Sequence, residues 1–314
     1  MTKTILFIPA DIEIKTGLHI WGSDQEFEIG WIDTPVIMKP ILVKKDNVEE
    51  VNWQENESKE EILFEPYIPW SSIKWRMRAL LEMYEYGIGG RVSNYFEQDD
   101  KWIKKVSINW KEIMIDKTWL IQDEEHEISN LFWASGKVKK NNNNESFHIP
   151  WTLIVKDFVL QNDYFKKYKN WELILEEKME NTVPRFIDKN TNPRRIQRVP
   201  AGTRFVGLFV IIGEEEQQNW QDTNNEITLE QKFELFKKWI KYIQQTYLWW
   251  SWTRGYGSVG FNFYKSQNKN IEEILQAVYD SRDLSRFWEA FSIDNVNIDD
   301  FKISTKSNDS ETIS

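Results

Sequence analysis

Residues Gly202–Ile212 read GTRFVGLFVII, a run apolar and β-branched enough to sit centrally in a sheet with both faces covered. That requirement limits the chain to folds that can supply strands on both sides. Three other stretches have strand character: residues 4–14 (TILFIPADIEI), Ile149–Leu160 (IPWTLIVKDFVL) and Ser258–Tyr264 (SVGFNFY). Helical spacing of apolar residues marks Ile73–Tyr86, where Ser71 and Ser72 follow Pro69 as N-cap candidates. It marks Thr228–Trp249 too, which opens on Thr-Leu-Glu-Gln, a cap and first turn. The order strand, helix, strand, strand, helix, strand predicts an α+β chain with the ferredoxin-like (RRM-like) βαββαβ palm and an antiparallel sheet.

This organisation places one palm domain at residues 1–265 with three insertions: a loop at about 16–66, a lid of short helices and loops at 88–148, and a polar, basic thumb at 161–200. Residues 266–314 form an extension, a helix over Asn270–Phe291 and then a disordered polar tail. With 40% hydrophobic and 29% charged residues, the chain can pack a core. No leader pattern opens it, and no run approaches the roughly 18 apolar residues of a membrane span, so a cytoplasmic protein with no membrane partner is expected.

Chemistry is narrowed by what is scarce. There are no cysteines, and His19, His126 and His148 lack ligand spacing, so any metal must use oxygen ligands. The formal charge of −10 argues against an indiscriminate nucleic-acid binder, yet Arg185–Arg204 holds five arginines and a lysine against one aspartate. A basic face on an acidic body remains open.

Six stretches taken together resemble the backbone subunit of the type III-A CRISPR effector, the Csm complex, within the RAMP superfamily. They are GLHIWGSD (17–24), IGWIDTPVI (29–37), YIPWSSIKWRMRALLE (67–82), LFWASG (131–136), RVPAGTRF (198–205) and TRGYGSVGF (253–261). The acidic piece 44–61 is longer than the connection expected there, and nothing matches beyond about residue 270. The resemblance implies a subunit that polymerises along a guide RNA and cuts bound single-stranded target RNA at regular intervals, beside other subunits of the complex. The family's catalytic aspartate falls at Asp33. Cleavage of this kind uses the target's own 2′-hydroxyl, so the protein mainly aligns the scissile phosphate and manages charge. The family's metal requirement makes Asp33 a ligand for a divalent cation, Mg by expectation. Without the resemblance, an aspartate before Thr-Pro reads as a turn residue.

RNA-binding candidates follow the same blocks. His19 and Ser23 lie in the first, although a lone histidine at a strand end is commonly structural. Ser71, Ser72, Lys74 and Arg78 open a helix whose dipole favours phosphate, with Lys74 and Arg78 four apart on one face. Arg185, Arg194, Arg195 and Arg198 surround Phe186 and Ile187, as in a wedge that unstacks bases between gripping charges; a merely solvated charged face is the equal alternative. Arg254 and Tyr256 stand in a glycine-bearing turn that permits close approach of RNA.

One departure stands out. Tryptophan occupies positions 21, 31, 70, 75, 133, 249, 250 and 252, where the resemblance leads us to expect glycine. An indole fills the space that glycine would leave for a phosphate. UGA codons read as tryptophan instead of glycine would produce this pattern, so Trp249, Trp250 and Trp252 are not read as a base-stacking platform. The alternative functions are a non-catalytic RNA-binding scaffold of the same superfamily, a guide-processing enzyme and an unrelated RNA recognition module. Few histidines disfavour the second, and the lack of a clear aromatic signature on the core strands disfavours the third.

Overall fold

The computed structural model describes residues 3–22, 34–44, 60–86, 103–108, 111–116, 127–132, 138–140, 146–148, 152–173, 175–182, 191–214, 227–248, 255–267, 269–286 and 288–303. In chain order come β1 (Lys3–Ile14), β2 (Met38–Lys44), β3 (Glu60–Pro66), α1 (Trp70–Tyr86), β4 (Ile103–Ile108), β5 (Lys111–Asp116) and α2 (Glu127–Phe132). Then follow β6 (Val138–Lys140), β7 (Ser146–His148), β8 (Leu153–Val155), β9 (Val159–Leu160), α3 (Asn162–Lys169), β10 (Glu176–Thr182) and β11 (Thr191–Arg198). The chain continues through β12 (Arg204–Glu214), α4 (Leu229–Gln245), β13 (Val259–Tyr264), α5 (Ile271–Leu275) and β14 (Ala290–Phe291).

The central sheet runs β14-β13-β1-β12-β8, with β9 also on β12, and each of these pairs is antiparallel. β1 and β12 form its spine, in register from Lys3 opposite Glu214 to Glu13 opposite Arg204. Side-chain alternation sends Leu6, Ile8, Ala10, Ile12 and Ile14 into the main core against α1 and α4. Val206, Leu208 and Val210 point the other way, onto Ile274, Ala277, Val278 and Leu284 of the C-terminal segment. Both faces of β12 are covered, which is why its sequence is an uninterrupted apolar run.

α4 forms where expected. Thr228 and Gln231 exchange capping hydrogen bonds, and Leu229, Phe233, Phe236, Trp239, Ile240 and Ile243 bury one face. Phe209 meets Phe236 and Trp239 edge-on at ring centroids 5.1 and 5.9 Å apart, tying the helix to the middle of β12.

Other elements differ from the sequence expectation. α1 begins at Trp70, so Ser71 and Ser72 lie inside its first turn and not at its cap. The capping acceptor comes from far along the chain: the Trp70 backbone N–H donates to Asp157 Oδ1 at 2.8 Å. The stretch 149–160 is split into β8 and β9 around Lys156–Phe158. The insertion at 88–148 contains two antiparallel hairpins, β4–β5 and β6–β7, besides the short α2. In the extension, α5 continues only as a π-helical turn to Asp280, and the expected helix to Phe291 does not form. Arg282, at φ 51°, ends it, and its guanidinium pairs with the fully buried Glu65 of β3. β14 then adds to the sheet beside β13. The expected tail after 303 lies outside the described residues. Among the described residues no helix is long and apolar enough to cross a membrane.

Candidate functional site

Where β1 ends, four segments converge: 14–22, 34–37, residues 197–203 from the end of β11 into the turn that follows it, and the turn 255–258. The Ile14 N–H donates to Thr203 O, Leu18 and Val199 exchange backbone hydrogen bonds, and the Gly257 N–H donates to Gly17 O. The hairpin β10–β11 is thereby rooted at the end of the sheet.

Thr34 pairs with β11 in a parallel bridge opposite Ile196. Its N–H donates to Arg195 O at 3.3 Å, and its carbonyl accepts from the Gln197 N–H at 3.1 Å. Val36 N–H donates to Gln197 Oε1 at 3.1 Å, and His19 Nδ1 lies 2.7 Å from Gln197 O, so Nδ1 carries the proton. Burial holds the His19 pKa below its usual value, against the opposing pull of that carbonyl. Burial thus favours the neutral ring.

Beside this knot lies a cationic stack on Tyr256. Its ring is buried, with Lys178 Nζ at 4.5 Å and the Arg198 guanidinium at 5.2 Å from its centroid. Tyr256 OH donates to Glu180 Oε1, and Arg198 Nε donates to Glu176 Oε2, both from β10. The Arg198 side chain runs across Gly17, where a Cβ would sit 2.5 Å from Arg198 Cδ. Gly255 and Gly257 adopt φ of 80° and 78°, conformations that shape the turn carrying Tyr256 and that favour glycine.

The structure therefore brings together His19, Arg195, Arg198 and Tyr256, with Arg194 exposed on the same strand. Asp33, Ser23, Arg185 and Arg254, and with them Phe186 and Ile187, lie outside the described residues. The α1 candidates form a separate set on the β8–β9 edge. Lys74 Nζ donates to Leu153 O and lines a hollow of about 250 Å³ with Trp70, Ile154, Val155, Lys156 and Asp157. Burial, with the Arg78 charge adding to it, pushes the Lys74 ammonium down to about 8. Arg78 is buried and bound to Glu82 at 2.9 Å. Ser72 is buried and Ser71 half-buried. Sequence reasoning missed Gln197, Lys178 and Asp157, because nothing in their local context marks contacts to segments so far away in the chain.

Among the described residues no three His, Cys, Asp or Glu side chains gather as metal ligands.

Three of the eight tryptophans at expected glycine positions are described. Trp21, Trp70 and Trp75 are 50%, 44% and 54% exposed, whereas the core Trp239 is fully buried. Trp31, Trp133, Trp249, Trp250 and Trp252 lie outside the described residues.

The described residues thus form an α+β fold with a hairpin rooted at the end of its antiparallel sheet and arginines along that hairpin. No family model matches the sequence. Among curated proteins it is 30% identical over 257 residues to the CRISPR system Cms endoribonuclease Csm3 of Methanocaldococcus jannaschii, covering 80% of this chain and 75% of that one. It is 29% identical over 284 residues to the protein of the same name from Streptococcus thermophilus, covering 88% and 99%. Among solved structures it is similar to a Csm3–Csm4 subcomplex of the type III-A CRISPR-Cas interference complex, at 18% identity and TM-score 0.35, covering 84% and 78%. It is similar as well to Methanopyrus kandleri Csm3, at 16% identity and TM-score 0.42, covering 93% and 89%. The chain belongs to the Csm3 family.

Because the folded His19 pKa lies below the unfolded value of about 6.5, the neutral ring contributes stability above that pH. This contribution is lost as pH falls through the folded pKa. Denaturant unfolding at a series of pH values should show a steeper loss below about pH 6.5 in the wild-type chain than in His19→Gln.

Proposed function

We propose that this chain is the guide-RNA-binding backbone subunit of a type III-A CRISPR interference complex, that it works in the cytoplasm, and that it cuts complementary target RNA with Asp33. The observation that carries the placement of the site is the bridge between Thr34 and β11. It ties the residue next to Asp33 to the strand that bears Arg194, Arg195 and Arg198.

We read the sheet order β13-β1-β12-β8/β9, with α1 and α4 on one face, as the ferredoxin-like palm, and β10–β11 as the thumb. The other sheet face is packed under the C-terminal segment, so RNA runs past the sheet's end and along the hairpin, not across the strands as on an open RRM. The glycine turn at 255–257 lets backbone approach backbone there, while exposed Arg194 and Arg195 face the phosphates. The partners under this reading are a CRISPR guide RNA, target single-stranded RNA, further copies of this chain and the other subunits of the complex.

In the cut, the target's 2′-oxygen attacks the adjacent phosphorus and the 5′-oxygen leaves, so alignment of three atoms sets the rate. Asp33 would hold a divalent cation, Mg²⁺, together with phosphate oxygens, and such an ion supplies charge neutralisation at the phosphate. The hairpin and the Thr34 bridge hold the strand in line.

The alternative, a scaffold that binds guide RNA without cutting, is separated by one substitution. In the complex reconstituted with guide RNA, Asp33→Ala should slow target cleavage by roughly 100-fold or more while target binding persists. Unchanged cutting would leave the scaffold role.

A further inference from the structure

We infer that Gln197 is a positioning residue for the cleavage site, acting through the Asp33 segment; this rests on the assignment of Asp33 as the cutting residue. Gln197 uses its N–H, its carbonyl and its side-chain oxygen on two separate segments. The N–H donates to Thr34 O, the carbonyl accepts from His19 Nδ1, and Oε1 accepts from the Val36 N–H. The side-chain amide oxygen takes the place of the next carbonyl in the short ladder between 34–36 and β11. Asp33 directly precedes Thr34 in the chain. Whatever fixes Thr34 and Val36 therefore limits where the residue bonded to Thr34 can lie. Val36 is 4% exposed, so water cannot replace the lost acceptor without opening the segment. The same residue lies on the hairpin, so the cleavage segment and the arginine-bearing strand move as one unit.

Gln197→Met keeps length and the backbone bonds but removes the acceptor; Gln197→Glu keeps an acceptor oxygen. In the reconstituted guide complex, single-turnover cleavage at saturating target should fall roughly 10- to 100-fold for Gln197→Met, a loss typical of small misplacement. The Kd for target RNA should stay within about twofold and Gln197→Glu should recover most of the rate. Wild-type cleavage by Gln197→Met, or a loss fully explained by weaker target binding, overturns the assignment. Asp33→Ala is measured beside it. If that variant cuts normally, the Asp33 reading and the Gln197 assignment fall together; if it is inactive while Gln197→Met cuts normally, only Gln197 falls.

We infer separately that Trp171 stands at a glycine position and that the natural protein carries glycine there. α3 ends in a Schellman motif: the Trp171 N–H donates to Tyr168 O and the Glu172 N–H to Lys167 O at 2.7 Å. This motif puts residue 171 in the left-handed region, at φ 60°, where glycine is the usual occupant. Trp171 is 84% exposed, and among the described residues its indole makes no ring, cation or hydrogen-bond contact. Arg282, the other non-glycine residue described at positive φ, is held there by its ion pair with Glu65 and by Phe165 beneath its guanidinium at 4.3 Å. Trp171 has no such compensation. The composition agrees: 13 glycines stand against 17 tryptophans, where a usual share of about 7% would give roughly 22 glycines. One codon, UGA, read as glycine in the source and as tryptophan in translation, accounts for both. Mass spectrometry of the protein isolated from its own cells tests this. A digest fragment spanning residue 171 should have the mass for glycine, and the mass for tryptophan overturns the inference.

Discussion

The antiparallel ladder between β1 and β12 is the constraint on which the rest of the chain depends. Eleven residues of each strand stand in register, and the two strands alternate side chains into two separate apolar clusters. The helices α1 and α4 close one face. The C-terminal segment closes the other, which leaves the end of the ladder as the place where loops can meet a ligand. Because Glu13 faces Arg204, the chain leaving β1 and the chain entering β12 emerge side by side. The 14–22 segment and the root of β10–β11 follow from that single register, and a one-residue slip would send every core side chain to the wrong face.

Charge is arranged by the same layering. The chain carries a formal −10, yet several acids are internal. Glu65 is fully buried with Arg282 and Lys39, Glu82 is bound to Arg78, and Asp11 sits under the C-terminal segment accepting from Tyr264 OH and Asn262. Burial raises the Asp11 pKa, and the two donors oppose it. At the root of the hairpin the balance is more even: Glu176 and Glu180 answer Arg198 and Lys178, which locks Tyr256 into the fold. Farther along β11, Arg194 and Arg195 are both exposed. Net charge is thus a poor guide to the charge of any one face.

What could be read from the sequence was what local pattern controls. The apolar run that became β12, the capping box of α4 and the positions of β1 and β13 each depend on residues within a few places of one another. What could not be read depends on distant partners. Asp157 caps α1 from 87 residues away, and Glu65 draws Arg282 into a positive φ that cuts short a helix its own sequence favours. The hairpins of the 88–148 insertion carry alternation too short to separate from loops, as in KKVSI and KEIMI. At the candidate site the blocks 17–24 and 198–205 marked His19 and Arg198, but Gln197 acquires its role only when His19, Thr34 and Val36 arrive around it.

The most direct test is a structure of the chain assembled on a guide RNA, with a target that carries 2′-deoxyribose at the cut position so that it stays intact. If this chain cuts as proposed, the Asp33 carboxylate lies beside the phosphate at that position, with Gln197 still bonded to Thr34 and Val36 and the β10–β11 arginines along the RNA backbone. A scissile phosphate held by another element of the fold, or by another subunit, with Asp33 turned away from it would contradict the proposal.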